Sequence, residues 1–248
     1  MRRLYRHIAM SEDWQAKSVR NLYHGILRFS VPAPILVVRP LLAIFLALRT
    51  VYYFLVRIFV CEPLFKAYCK SYGENLKTGV FLHWVQGVGD IVLGDNVTVD
   101  GKSSFSFAAR YAESPRLVVG DNTRIGHGNT FTIGQEIRIG SHVLFANNVT
   151  VFDVSGHPVD PTQRYLGFPS EIEKVRPVVI GDNVWLGTNS IILPGVTIGD
   201  NSVVAAGSVV RDSVPTNTVV SGNPAQVVKT LKPLDLEEIA AARAKQPH

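Results

Sequence analysis

A ladder of six branched apolar residues spaced six apart constrains this chain more than any other feature: Ile180, Leu186, Ile192, Ile198, Val204 and Val210. Four positions after each of the first five rungs comes a second, mostly smaller series, Val184, Ser190, Val196, Ser202 and Ser208. An α-helix repeats every 3.6 residues and a strand every 2, so a period of six fits neither as one long element. It fits a coil of short flat strands with a corner after each, where one large and one small side chain per six residues point inward. Fixed-period self-similarity of this kind marks a solenoid, and hexapeptide spacing specifies a parallel β-helix. Three hexads make one triangular coil, which places Ile180 under Ile198 and Leu186 under Val204.

The ladder continues upstream. Ile133, Ile139, Phe145 and Val151 keep the same step, while Val119, Ile125 and Phe131 are offset from them by a two-residue slip. Leu93, Val97 and Val99 form a first, weaker coil. Gly-Asp-Asn recurs at 94–96, 120–122, 181–183 and 199–201. These are corner residues, since Gly and Asn tolerate positive φ and Asp or Asn bonds nearby backbone. The β-helix is therefore expected over residues 73–222, followed by a tail and short helix over 223–248, with Pro233, Leu234, Leu236, Ile239 and Ala240–Ala242 as its helical signal.

Charge is uneven along the chain. Residues 1–70 hold 11 Lys or Arg against 3 Asp or Glu, and residues 71–248 hold 14 against 17. The solenoid is thus mildly acidic, and no basic stripe on it supports nucleic-acid binding. The basic N-terminal part splits into a helical arm over 1–30 and an apolar region over 31–72. Leu41–Val60 is twenty residues long, enough to cross a bilayer. Arg49 and Arg57 oppose a plain span, each costing roughly 2.5–3.5 kcal/mol at mid-bilayer. With Arg39 they share one stripe of an otherwise apolar helix, which is compatible with lying in the interface, re-entering the membrane or packing the stripe on protein. Membrane association through residues 31–60 at the cytoplasmic face is the expectation, and a buried or oligomer-interface helix the plain alternative. Pro32, Pro34 and Pro40 are expected to break or kink whatever precedes Leu41. Cys61 and Cys69 have no zinc-type spacing, and a reduced cytoplasmic setting is the simplest interpretation.

The hexad period stops after Val151 and resumes near Val179, leaving a loop over 152–178. Excursions of that length without secondary structure usually carry function. This one contains Asp153, Asp160 and His157, the last between Gly156 and Pro158. Imidazole is the side chain that titrates near working pH, so a loop His beside a stiff wall suits general-base chemistry on a hydroxyl or amine. An exposed loop His with no role is the plain alternative.

The stretch GHPVD and then PVVIGDNVWLGTNSIILPGVTIGDNSVVAAGSVVRDSVPTNTVVSGNPAQVVKTL resembles the galactoside and maltose O-acetyltransferase group of hexapeptide-repeat acyltransferases. The likeness is densest over 139–231, extends to 88, and does not reach 1–75. It implies a left-handed parallel β-helix, a homotrimer with active sites between subunits, and direct acetyl transfer from acetyl-CoA to an acceptor. Left-handed coiling runs against the usual crossover rule and rests on the resemblance alone. His157 matches the family's catalytic base, and Trp185 the residue lining the acetyl and pantetheine end. Thr188, Ala206 and Gly207 match positions bordering the CoA channel; Arg211 and Lys229 match basic or polar positions towards the nucleotide. Gln226 stands where an Arg is common. Asp153, Asn129 and Asn148 are the candidates for acceptor binding, with orienting His157 as the alternative for Asp153 and a corner role as the alternative for Asn148. No metal is expected. Because the family's usual N-terminal segment is replaced by a basic and apolar one, the expected acceptor is a lipid-linked sugar or cell-envelope glycan precursor.

Two other functions compete. His127, His142 and His157 recur every fifteen residues and invite a zinc carbonic-anhydrase-like site on the same scaffold. A non-enzymatic scaffold that only displays the N-terminal helix is the second.

Overall fold

The computed structural model describes residues 2–235 and 237–238. Within it, residues 1–51 and 52–248 form two separate compact units.

In the first unit, α1 (Arg2–Met10) and α2 (Trp14–Arg28) form a helical pair. Asp13 caps α2 by accepting from the Ala16 N–H at 2.7 Å, which holds its carboxyl below the usual range. The Arg20 guanidinium donates to the Ile8 and Ser11 carbonyls at 2.6 and 2.8 Å, satisfying the exposed end of α1. The apolar stretch forms α3 (Ile35–Val56), continued by a π-helical turn (Arg57–Cys61) and α4 (Glu62–Tyr68). Of the expected break or kink, the break does not occur at Pro40, which lies inside α3. It lies near the helix start, where a missing N–H costs a single early backbone bond. Among the described residues this is the one helix long and apolar enough to cross a membrane; the mean hydropathy of its most apolar window is 1.9, and none of that window is buried. Arg49 lies over the Phe45 ring and Arg57 over Phe54, at 5.9 and 5.7 Å, which partly screens both charges.

The second unit holds a three-sided column of parallel strands. The first face runs through Ser71–Tyr72, Asp90–Leu93, Arg116–Val119, Glu136–Ile139, Val178–Ile180 and Thr197–Ile198. The second runs through Lys77–Thr78, Thr98–Val99, Arg124–Ile125, Leu144–Phe145, Trp185–Leu186, Val203–Val204 and Thr218–Gly222, with Ala225–Thr230 added antiparallel. The third runs through Trp84–Gln86, Ser104–Phe107, Thr130–Ile133, Thr150–Phe152, Ile191–Ile192 and Val209–Val210. Ile180 pairs with Ile198 and Leu186 with Val204, as the hexad spacing requires.

Every large rung points inward, and so does the second series: Val184, Ser190, Val196, Ser202 and Ser208 are all buried. At the edge between the first and second faces, a continuous ladder of bonds supports the Gly-Asp-Asn corners. The N–H of Glu74 donates to Asp95, that of Asp95 to Asp121, that of Asp121 to Ser141, that of Ser141 to Asp182, and that of Asp182 to Asp200, at 2.7–3.1 Å. The Asn after each Asp takes φ of 54–58°. The preceding glycine is required by close approach: a Cβ on Gly181 would lie 2.1 Å from Asp200 Oδ1.

Three details differ from expectation. A coil precedes Leu93, starting at Ser71; its rung positions are Tyr72, Thr78 and Val85, too polar or exposed to show as a ladder. The rung stacked on Val151 is Phe131, and Ile133 is an extra inward residue at the end of the same strand, paired with Phe107, which is how the two-residue slip is absorbed. Residues 225–230 form a strand rather than a tail, and the expected helix around 234–242 lies largely outside the described residues. At the column's open end, Phe65 of α4 packs on His83 and Phe105, with ring centroids 4.5 and 5.8 Å away. Phe105 stacks in turn on Phe131 at 5.3 Å. A solenoid end needs such a cap, because its last coil has no neighbour.

Candidate active site

The 152–178 excursion leaves the third face and returns to the first, so it stands at the edge between them. It is more structured than its sequence suggests. Pro161–Tyr165 forms a short helix, α5, capped by Asp160, which accepts from the Gln163 N–H at 2.8 Å. Ile172–Lys174 forms a 3₁₀ turn, and Val154 and Val175 are buried against the column. Ser155 Oγ meets Ser170 Oγ at 2.9 Å, and the Arg164 guanidinium donates to the Pro158 and Val159 carbonyls. These contacts tie the residues flanking Gly156-His157-Pro158 to the later part of the excursion. His157 is exposed and lines an open cleft of about 880 Å³. Facing it across that cleft are residues of earlier coils, among them Gln86, Ser106, Thr132 and the segment Ala108–Tyr111, together with Phe168 of the excursion itself.

Asp153 is not available to an acceptor or to His157. It is wholly buried, and its carboxylate accepts from the backbone N–H groups of Gly134, Gln135 and Glu136, the last two at 2.7 Å. Burial pushes its carboxyl above the usual range while those three donors pull the other way. The residue pins the enlarged corner after Ile133 to the start of the excursion. Asn129 is likewise internal: fully buried, it donates to the Gly126 carbonyl at 2.6 Å and accepts from the Val149 N–H at 2.7 Å. It occupies the inward small-residue position of its corner, which is why it cannot face a ligand. Asn148 is exposed with φ of 59°, the left-handed conformation a corner asks for.

The residues matched to the CoA channel are partly assembled. Trp185, Thr188 and Ala206 line a groove of about 310 Å³ together with Gly187 and Ala205. Gly207 adjoins it, its N–H donating to the Thr188 carbonyl at 2.8 Å. Trp185 is 53% exposed because it takes the outward position of its strand, the neighbouring Leu186 being the inward rung. Across the second face Trp185 pairs with Val203, Val203 with Val219, and Val219 with Lys229. Strand spacing puts the two ends of this outward row about 14 Å apart. Arg211 is elsewhere: it follows Val210 at the edge between the third and first faces and pairs with Asp212 at 3.2 Å. The groove is walled by small residues and would admit a thin extended chain such as pantetheine, with Trp185 at one end and Lys229 beyond the other.

His157 and the groove stand at different edges of the column, with the third face between them. The three regularly spaced histidines are also apart. His142 turns the edge between the first and second faces, His127 that between the second and third, and His157 that between the third and first. One chain therefore does not gather them, and no cluster of three metal-ligating side chains occurs among the described residues.

Arg110, Tyr111 and Phe168 in the cleft belong to no hexad and to no motif of the sequence. The signal for the first two was there: the Gly-Asp-Asn corners at 94 and 120 are 26 residues apart, against 18 for those at 181 and 199. That surplus is the segment around Ala108–Pro115.

The family described as bacterial transferase hexapeptide (six repeats) matches residues 177–212. The galactoside O-acetyltransferase of Escherichia coli is 36% identical over 58% of this chain and 65% of its own length. WbbJ of the same organism, named for O-acetyl transfer in lipopolysaccharide biosynthesis, is 34% identical over 64% of this chain and 70% of its own length. Among several other curated relatives the chain spans only about half of the full length, from 47% to 58%. Of solved structures, a mutant of AntD, an N-acyltransferase from Bacillus cereus in complex with dTDP-4-amino-4,6-dideoxyglucose and coenzyme A, superposes with a TM-score of 0.58. It is 22% identical and covers 74% of this chain and 95% of its own, which speaks for a shared fold.

Proposed function

This chain belongs to the hexapeptide-repeat transferases, and from that premise we propose that it is an acetyl-CoA-dependent O-acetyltransferase with a sugar hydroxyl as acceptor. The observation that carries the proposal is His157, held by a structured excursion at the wall of a cleft large enough for a sugar. Acetyl-CoA, when bound, supplies the thioester acyl group. The His157 imidazole accepts the proton of the acceptor hydroxyl as that oxygen attacks the thioester carbonyl, and then gives the proton to the departing sulfur. Phe168 and Tyr111 are aromatic side chains of the cleft lining against which a pyranose would pack. Thr188, Ala206 and Gly207 border the donor's arm, and Trp185 stands at its acyl end. Lys229 provides a cation for a phosphate, and Arg211 a second from its own edge.

Since the cleft and the groove occupy different edges, the complete site needs two copies of the chain, His157 from one and the Trp185 groove from its neighbour. A homotrimer satisfies this at all three subunit interfaces at once, and left-handed coiling of the column follows from the same family likeness. The domain scheme is a basic helical arm over 1–30, a membrane-associating region from 31 that ends before the first coil, and a catalytic column from Ser71 to the hairpin strand Ala225–Thr230. The apolar α3 region and the positive N-terminal charge support attachment at the cytoplasmic face of a membrane, where a lipid-linked or envelope glycan precursor would be the acceptor.

Thiol release from acetyl-CoA in the presence of candidate sugars, combined with calorimetric titration of CoA, tests the activity. Saturable CoA binding with sugar-dependent release is expected. Absence of CoA binding at millimolar concentration would leave only a scaffold. For attachment, a chain lacking residues 1–70 should stay in the supernatant with anionic vesicles that pellet the full chain; pelleting of both would refute it.

A further inference from the structure

The cleft beside His157 carries an electrostatic signature that acetyl transfer to a neutral sugar does not require. Among the described residues no Asp or Glu lines it, whereas Arg110 does. The nearby carboxylates are engaged outside it: Asp90 pairs with Lys70 and accepts from Ser114, and Glu136 pairs with Arg116 and Arg138. Glu113, on the same segment, is exposed and does not line the cleft. Next to Arg110, Tyr111 contributes to the wall, and its hydroxyl is buried with no hydrogen-bond partner among the described residues. A buried hydroxyl without a partner is costly unless a ligand supplies one.

Both residues come from the surplus segment of the second coil, which turns through the Tyr111 N–H donating to the Ala108 carbonyl at 3.1 Å. A plain 18-residue coil would have no such segment, so the column carries a device here that its stacking does not need. Guanidinium is permanently charged and presents a planar fork that matches the oxygens of phosphate or carboxylate. The cleft volume of about 880 Å³ leaves room for an anionic group beside a sugar ring.

We infer that the acceptor is an anionic sugar, bearing phosphate or carboxylate, and that Arg110 binds its charged group with Tyr111 donating a further hydrogen bond, while His157 faces the hydroxyl to be acylated. The inference rests on the acyl-transfer function proposed above, and its test separates the two.

The full chain is titrated calorimetrically with glucose, glucose 1-phosphate and glucuronate, and the same three are offered as acceptors with acetyl-CoA. Either charged sugar should bind at least about tenfold tighter than glucose, the margin typical of a hydrogen-bonded charge pair. Arg110→Gln should erase that margin, Arg110→Lys should keep part of it, and Tyr111→Phe should reduce it less. Arg110 is exposed, so these variants should fold. A margin for glucose 1-phosphate alone identifies phosphate as the group read, and one for glucuronate alone identifies carboxylate. Equal binding of all three, or a margin that survives Arg110→Gln, overturns the inference. Tight binding that depends on Arg110, with no acetyl transfer to any probe, upholds the anion site and refutes the acyl-transfer function instead.

Discussion

The downstream and upstream halves of the column obey the same fold with different discipline. From Asp182 to Asp200 one turn takes 18 residues, and each rung falls on the rung below it. Upstream the corresponding steps are 21, 26, 20 and 41 residues. The regular half supplies a flat wall and a groove floored by small residues. The irregular half supplies the side chains that project from it: Arg110 and Tyr111 from the 26-residue step, His157 and Phe168 from the 41-residue step. A strict repeat directs side chains only inward or outward from a flat face. Chemistry that needs groups converging on one point has to come from where the repeat is broken.

The comparison can be broken most severely at His157. His157→Ala should lower turnover by about 10²–10⁴-fold while leaving CoA affinity nearly unchanged, measured by steady-state thiol release and calorimetry. In the regular half, the contrast between inward and outward positions should appear as stability against binding. Leu186→Ala should cost about 2–5 kcal/mol in denaturant unfolding, since it empties a fully buried rung. Trp185→Ala, one residue away on the outer face, should change stability by less than about 0.5 kcal/mol and weaken CoA binding.

How much of this was legible in the sequence depends on what the physics repeats. Inward packing repeats every six residues, so Ile180–Val210 announced the column and even its register. Corners repeat too, and Gly73-Glu74-Asn75, with Asn75 at φ of 55°, marked the missed first coil although Glu had replaced Asp. What an individual polar side chain bonds does not repeat. Asp153 and Asn129 looked like ligand residues because both are polar and lie at a corner or next to His157. Only the coordinates show that backbone N–H groups one coil away take up their oxygens. The 225–230 strand was hidden because it joins the column as a hairpin, outside the hexad period.

Two smaller effects sharpen the same contrast at the column's irregular end. His83, wedged between Phe65 and Phe105, has no hydrogen-bond partner for either ring nitrogen among the described residues, and burial pushes its imidazole down to about 4. It is neutral in the folded chain and takes a proton in the unfolded chain below about 6.5. Its neutral form therefore costs nothing above that pH, and stability falls as pH drops from about 6.5 towards 4, by up to about 3 kcal/mol. In His83→Leu that acid-side loss should shrink, as followed by urea midpoints across the window. A pH dependence identical to that of the unaltered chain would contradict the burial argument. Asp153→Asn should lower stability by about 1–3 kcal/mol by weakening the bonds to Gln135 and Glu136, with acceptor KM changed by less than about twofold. A large KM effect at unchanged stability would return Asp153 to the binding site.

The most direct measurement is a crystal structure of the full chain with CoA and an acetylatable sugar. The CoA sulfur is expected at the Trp185 end of the groove and within reach of a His157 imidazole contributed by a neighbouring copy, with the acceptor hydroxyl between them. A sulfur bound at an edge that no His157 approaches would contradict that arrangement.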